Sequence, residues 1–170
     1  MADRLEALLY SFFVKYYTQE ENITSQKSEF AVERKYSLIE DLKTKKELPH
    51  PNVLKSGDLV KVTLKITTPR ENEYNMVEDP KPAGMEFVKE ETLGQNYYYY
   101  YQWPFYYREV RDSKVAFFAT YISKGTYTLI YYLKAETPGT FHTMPTKIVS
   151  MYFPEIGGSG NENIINIIDK

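Results

Sequence analysis

Cysteine is missing altogether from the 170 residues. That excludes a disulfide framework, a zinc–thiolate centre, a cysteine nucleophile and any thioester made from a cysteine of this segment. It leaves the compartment open, because a domain with a sizeable core needs no disulfides outside the cell. Histidine is nearly absent too. His50 lies between prolines and His142 lies in Thr-Phe-His-Thr, without the paired spacing of a metal site. No apolar run approaches the roughly 18 residues of a membrane span. Residues 5–17 are apolar-rich, but Glu6 and Lys15 within them, and Asp3 and Arg4 before them, spoil a signal-peptide core. If the parent protein is exported, this chain is then expected to be one piece of it. A net charge of −2 supplies no basic face, so no nucleic-acid partner is expected.

Catalytic patterns are equally scarce. There is no G-x-S-x-G elbow and no Ser-x-x-Lys set. Residues 157–160, Gly-Gly-Ser-Gly, lack the Gly-Lys-Ser/Thr ending of a phosphate loop and read as a flexible break. Glu78 with Asp79, and Glu90 with Glu91, are sequence neighbours that face opposite sides of an extended chain, so neither pair can flank one glycosidic bond. Glu109 and Asp112 flank a turn, where Asp112 has a simpler role. No catalytic residue, metal or cofactor is expected.

What the chain has in excess is aromatic side chains: 17 Tyr and 9 Phe. Such residues suit a pleated, half-buried surface. Val60, Val62, Leu64 and Ile66 alternate with Lys61, Thr63, Lys65 and Thr67, the pattern of a strand buried on one face. Phe30, Val32, Arg34, Tyr36 and Leu38 share a face in the same way, with Arg34 the one charge out of pattern. Residues 40–52, with Lys43, Lys45 and Lys46 and ending in Pro49-His50-Pro51, read as a loop. Further strands are expected at 74–77, 85–88, 97–101, 106–110, 115–122 and 126–134, with a rigid turn at 78–84 and a tight hairpin at 111–114. Residues 5–17 lean to strand. The apolar tail 164–168 is expected to dock on the body as an edge strand.

Strand signals about every ten residues point to an all-β fold, an antiparallel β-sandwich. It is expected over residues 28–156, as a single domain with an N-terminal extension (1–27) and a Gly-rich break and C-terminal tail (157–170). Among the aromatics, Tyr98, Tyr100, Trp103 and Tyr106 are candidates for a domain–domain contact, since they combine apolar area with a polar tip. The alternative is a carbohydrate-binding module that stacks sugar rings on coplanar exposed aromatics between residues 97 and 107.

Three runs carry a resemblance: VEDPKPAGMEFV, the long run YREVRDSKVAFFATYISKGTYTLIYYLKAETPGTFHTMPTKIVSMYFPEI and, more weakly, SGDLVKVTLKI. In order and spacing they resemble the C-terminal domain of bacterial alpha-2-macroglobulin-like proteins. The resemblance implies a macroglobulin-type β-sandwich, equivalent to the receptor-binding domain of the animal proteins, within a large exported protease-trapping protein (an endopeptidase inhibitor). That protein would be extracytoplasmic, periplasmic or on the cell surface. The implied partners are neighbouring domains of the same parent chain and, through the full-length protein, target proteases. The implied role is to pack beside a separate thioester domain and hold the resting state. In members with a thioester, a Met-Tyr loop of this domain shields that bond from water. By motif match the loop is 150–154, with Met151 and Tyr152. Taken alone, Met151 reads more simply as a core or turn-packing residue. No helix with paired lysines matches the animal receptor site, so no receptor function is implied.

Overall fold

In β5 (Leu59–Thr68), the side chains of Val60, Val62, Leu64 and Ile66 are fully buried, while Lys61, Thr63, Lys65 and Thr67 lie on the opposite face. The hydrophobic term fixes this register, since a one-residue slip would put four branched side chains in water. The structure, a computed structural model, describes residues 23–27, 29–41, 46–49, 53–89 and 104–170. The expected strands at 5–17 and 97–101, and Tyr98, Tyr100, Trp103, Glu90, Glu91 and His50, lie outside the described residues.

β5 sits in a five-stranded sheet between β2 (Ala31–Asp41) and β10 (Gly125–Ala135), with β3 (Lys46–Pro49) and β7 (Met85–Phe87) at its edges. A second sheet holds, in order, β1 (Gln26–Lys27), β13 (Gly157–Ser159), β12 (Lys147–Ser150), β6 (Asn72–Pro80), β9 (Lys114–Ile122) and β8 (Tyr107–Val110). Every pairing in these two sheets is antiparallel. Val77, Val115, Phe117, Ala119 and Ile148 of one sheet share a core with Val60, Val62, Leu64, Leu129, Tyr131 and Leu133 of the other. Phe117 and Tyr131 meet across it at 6.3 Å between ring centroids. The described residues contain no helix, and the all-β antiparallel sandwich expected from the sequence is the fold.

Four segments differ from the sequence reading. The expected turn at 78–84 begins only after Pro80, because residues 78–80 pair with β9 as the end of β6. Lys46–Pro49 is not loop but strand, paired with the end of β2 through Leu38↔Leu48. Extended geometry ahead of a proline is compatible with an edge strand, and the eleven-residue β2 supplies the partner. Residues 157–160 are no flexible break: Gly157–Ser159 is β13, paired on both sides with β1 and β12. Its glycines serve close approach. A Cβ on Gly158 would lie 2.3 Å from the carbonyl oxygen of Phe30, so no larger residue fits. The apolar tail is β14 (Asn163–Ile168), and it is not an edge. It runs between β11 (Gly139–Thr143), antiparallel, and β4 (Leu54–Lys55), parallel, and buries Ile165 and Ile167.

Candidate functional site

Arg34, the charge out of pattern in β2, is buried, and Asp79 explains why. Their side chains are 1% and 0% exposed and meet at 2.6 Å. The guanidinium also donates to Asn163 Oδ1 at 2.9 Å and to the Thr143 carbonyl at 3.3 Å. Asp79 further accepts from the Tyr131 hydroxyl at 2.6 Å and from Thr146 at 2.8 Å. Burial pushes the Asp79 carboxyl above its usual range, against the opposing pull of Arg34 and the two hydroxyls. Burial, the largest single influence, works to lower Arg34, but Asp79, Tyr36 and Tyr131 together outweigh it and hold the guanidinium charged. Arg34 also lies over the Tyr36 ring, 5.6 Å from its centroid. Through these contacts the pair fastens β2, β6, β10 and β14 together.

Sequence reasoning named Asp79 only as half of an acidic pair and Arg34 only as an irregularity. Together, a lone Arg on an apolar strand face and an Asp followed by Pro at the end of another strand were the available signal. Glu78, on the opposite face of β6 from Asp79, pairs with Lys114. Glu109 pairs with Arg111 beside the hairpin turn. His142 pairs with Glu162, whose carboxyl is held low by hydrogen bonds from His142 and the Ile23 N–H. Among the described residues no three His, Asp or Glu side chains gather as metal ligands would.

The exposed chemistry lies elsewhere, on the outer face of the six-stranded sheet. Tyr107, Phe118, Met76 and Val149 are in register across β8, β9, β6 and β12, which makes one apolar row. An outer sheet face in contact with water alone would normally be polar. Beside the row, the chain after β12 turns through Met151, Tyr152 and Phe153, which are 52%, 68% and 57% exposed. Their exposure does not come from a loose loop. Ser150 N–H donates to the Ile156 carbonyl and Ile156 N–H to the Phe153 carbonyl, both at 2.8 Å. Met151 N–H donates to the Tyr74 carbonyl at 2.7 Å, and the Ser150 hydroxyl to the Glu73 carbonyl at 3.3 Å. The Tyr74 and Tyr152 rings meet edge to face, 4.9 Å apart at 83°.

Loop and row enclose a groove of about 290 Å³ lined by Tyr74, Tyr106, Tyr107, Phe118, Thr120 and Met151. Tyr106 is hydrogen-bonded to Thr120 at 2.8 Å. The structure therefore brings Met151 and Tyr106, two separately chosen residues, to one groove, with Tyr152 on its rim partner Tyr74. The sequence offered Tyr107 only within the aromatic run 97–107 and did not single out Tyr74. The described rings do not make a coplanar platform for a sugar: Tyr107 and Phe118 are tilted by 53°, and Tyr74 and Tyr152 are nearly perpendicular.

Sandwich, row and loop together define a macroglobulin-type β-sandwich domain. The family profile described as the bacterial alpha-2-macroglobulin MG10 domain matches residues 30–155, and the chain belongs to that family. An alpha-2-macroglobulin homolog of Nostoc sp. is 26% identical over 126 residues, covering 72% of this chain and 7% of its own. The alpha-2-macroglobulin of Thermotoga maritima is 29% identical over 104 residues, covering 56% of this chain and 6% of its own. Escherichia coli alpha-2-macroglobulin activated by porcine elastase shares the fold, with a TM-score of 0.71 at 23% identity over 89% of this chain and 14% of that one. Salmonella alpha-2-macroglobulin reacted with methylamine gives a TM-score of 0.66 at 26% identity over 88% of this chain and 10% of that one. The chain thus corresponds to a small part of much longer relatives. No helix of the described residues is long and apolar enough to cross a membrane.

Proposed function

We propose that this domain is a non-catalytic part of an exported bacterial protease-trapping protein of the alpha-2-macroglobulin type. It packs its outer apolar row and the Met151 loop against neighbouring domains and so stabilises the resting state. The observation that carries this reading is a rigid loop presenting Met151, Tyr152 and Phe153 to solvent beside an apolar sheet face. Exposed apolar surface of that kind marks an interface, and the matched relatives are many times longer than this chain. Where the parent holds a thioester, Met151 and Tyr152 lie over it and keep water from the activated acyl group. Target proteases meet the parent as a whole, outside the cytoplasm, and this domain takes no chemical part.

The test is made in the parent protein, with Met151→Ala and Tyr152→Ala together. The reading expects the parent to leave its resting state without protease, visible as a mobility change on native gels. If a thioester is present, its uptake of methylamine is also expected to rise by about tenfold, the size of one lost well-packed contact. A double variant indistinguishable from the parent in both respects would overturn the reading.

A further inference from the structure

We infer that Tyr74 is the positioning residue of the Met151 loop, and that it acts through its backbone conformation and not through its ring alone. The inference builds on the reading of that loop as a contact surface. Tyr74 has φ of 51°, the only described non-glycine residue with a positive value. For a bulky side chain this left-handed region is unfavourable, because Cβ crowds the carbonyl oxygen. Such strain persists only where surrounding structure holds it. Here the cause is visible. The alternation of β6 changes phase at this point: Asn72 is buried, Glu73 and Tyr74 are both exposed, and Asn75 is buried again. Glu73 and Asn75 keep their partners on β9, Tyr121 and Ala119, whereas Tyr74 has none in that ladder. Its carbonyl is turned instead to the Met151 N–H, and its ring to Tyr152.

A second unfavourable feature lies next to the first. Asn75 is 0% exposed, and neither its amide nitrogen nor its oxygen has a hydrogen-bond partner among the described residues. In register it lies between Ala119 and Ser150, at the base of the loop. An unpaired buried carboxamide is costly. The loop's pose is therefore held over a strained peptide and an unsatisfied side chain, not over a relaxed strand. Return of Tyr74 to ordinary extended geometry would remove the acceptor of Met151 N–H and release the loop. A neighbouring domain that touches Tyr74 or Tyr152 gains control of Met151 in this way.

The test is amide hydrogen exchange on the 170-residue chain, comparing Tyr74→Asn and Tyr74→Gly with Tyr74→Ala. All three lack the ring, but Asn and Gly accept the left-handed conformation and Ala resists it. The expected result is that the Met151 amide exchanges about tenfold faster in Tyr74→Ala than in Tyr74→Asn or Tyr74→Gly, the factor expected from the left-handed penalty. The Val62 amide, in the core of β5, reports global opening and serves as the reference. Equal Met151 exchange in all three, after correction by Val62, would overturn the inference and leave the ring as the whole effect. This result is read on the chain alone. It can fail while the Met151 and Tyr152 variants still disturb the parent, and it can hold while they do not.

Discussion

Tyr36 and Tyr131 are buried beside the Arg34–Asp79 pair, and both hydroxyls are pushed above the ordinary tyrosine range, in each case first by burial. Tyr131 donates to Asp79. The Tyr36 hydroxyl faces Thr143 without completing a hydrogen bond. Because both groups are raised, the folded chain keeps their protons at a pH where the unfolded chain sheds them. The stability they contribute is complete below the usual tyrosine value, about 10, and is lost as pH rises beyond it. Tyr36→Phe removes one such proton without breaking a formed bond. Its stability, followed by urea unfolding between pH 9 and 12, should match the slope of the parent sequence up to about pH 10 and fall less steeply above it, by up to about 1.4 kcal/mol per pH unit. Parallel curves would mean that Tyr36 ionises freely in the fold. Arg34 shows how such a node escapes a reading of pattern. Its position was visible as an exception, but the partner lies 45 residues away on a strand of the other sheet, and nothing local points to it.

At the scale of elements, the strands with clean alternation were legible and those made by tertiary contact were not. β5 buries one face with a period of two along its length, so burial alone fixes it, whereas β9 and β10 were legible as apolar runs that bury both faces at Val115–Phe117 and Tyr131–Leu133. β13 has two glycines and a serine and no apolar side chain to announce it. It is a strand because β12 and β1 supply partners and because its backbone lies against Phe30, with the Gly157 carbonyl accepting from the N–H groups of Glu29 and Phe30. Such a strand is specified by the absence of Cβ atoms, which propensity reads as flexibility. Gly158→Ala tests this. The added methyl would press on the Phe30 carbonyl, and thermal unfolding should show a loss of about 1–3 kcal/mol, the usual cost of overpacking. A true linker would lose nothing and would gain slightly from a stiffer unfolded chain.

For the whole molecule, the groove was half legible. Of its lining, Met151 had been singled out by a motif and Tyr106 by its aromatic surroundings. Tyr74 was not legible because what sets it apart is a backbone angle, and Tyr107 was offered as a stacking ring because only strand register places it beside Phe118. The apolar row has no sequence signature of its own, since of its four strands only β8 and β9 are consecutive in the chain. The sandwich buries a core between its two sheets and leaves Met151, Tyr152 and Phe153 uncovered beside the apolar row. The most direct measurement is hydrogen exchange of the segment 150–156 and of Tyr74 in the resting parent protein, compared with the 170-residue chain by itself. The account predicts strong additional protection of these amides in the parent, with β5 unchanged. Equal exchange in the two would show that the loop faces open water in the resting protein, and would contradict it.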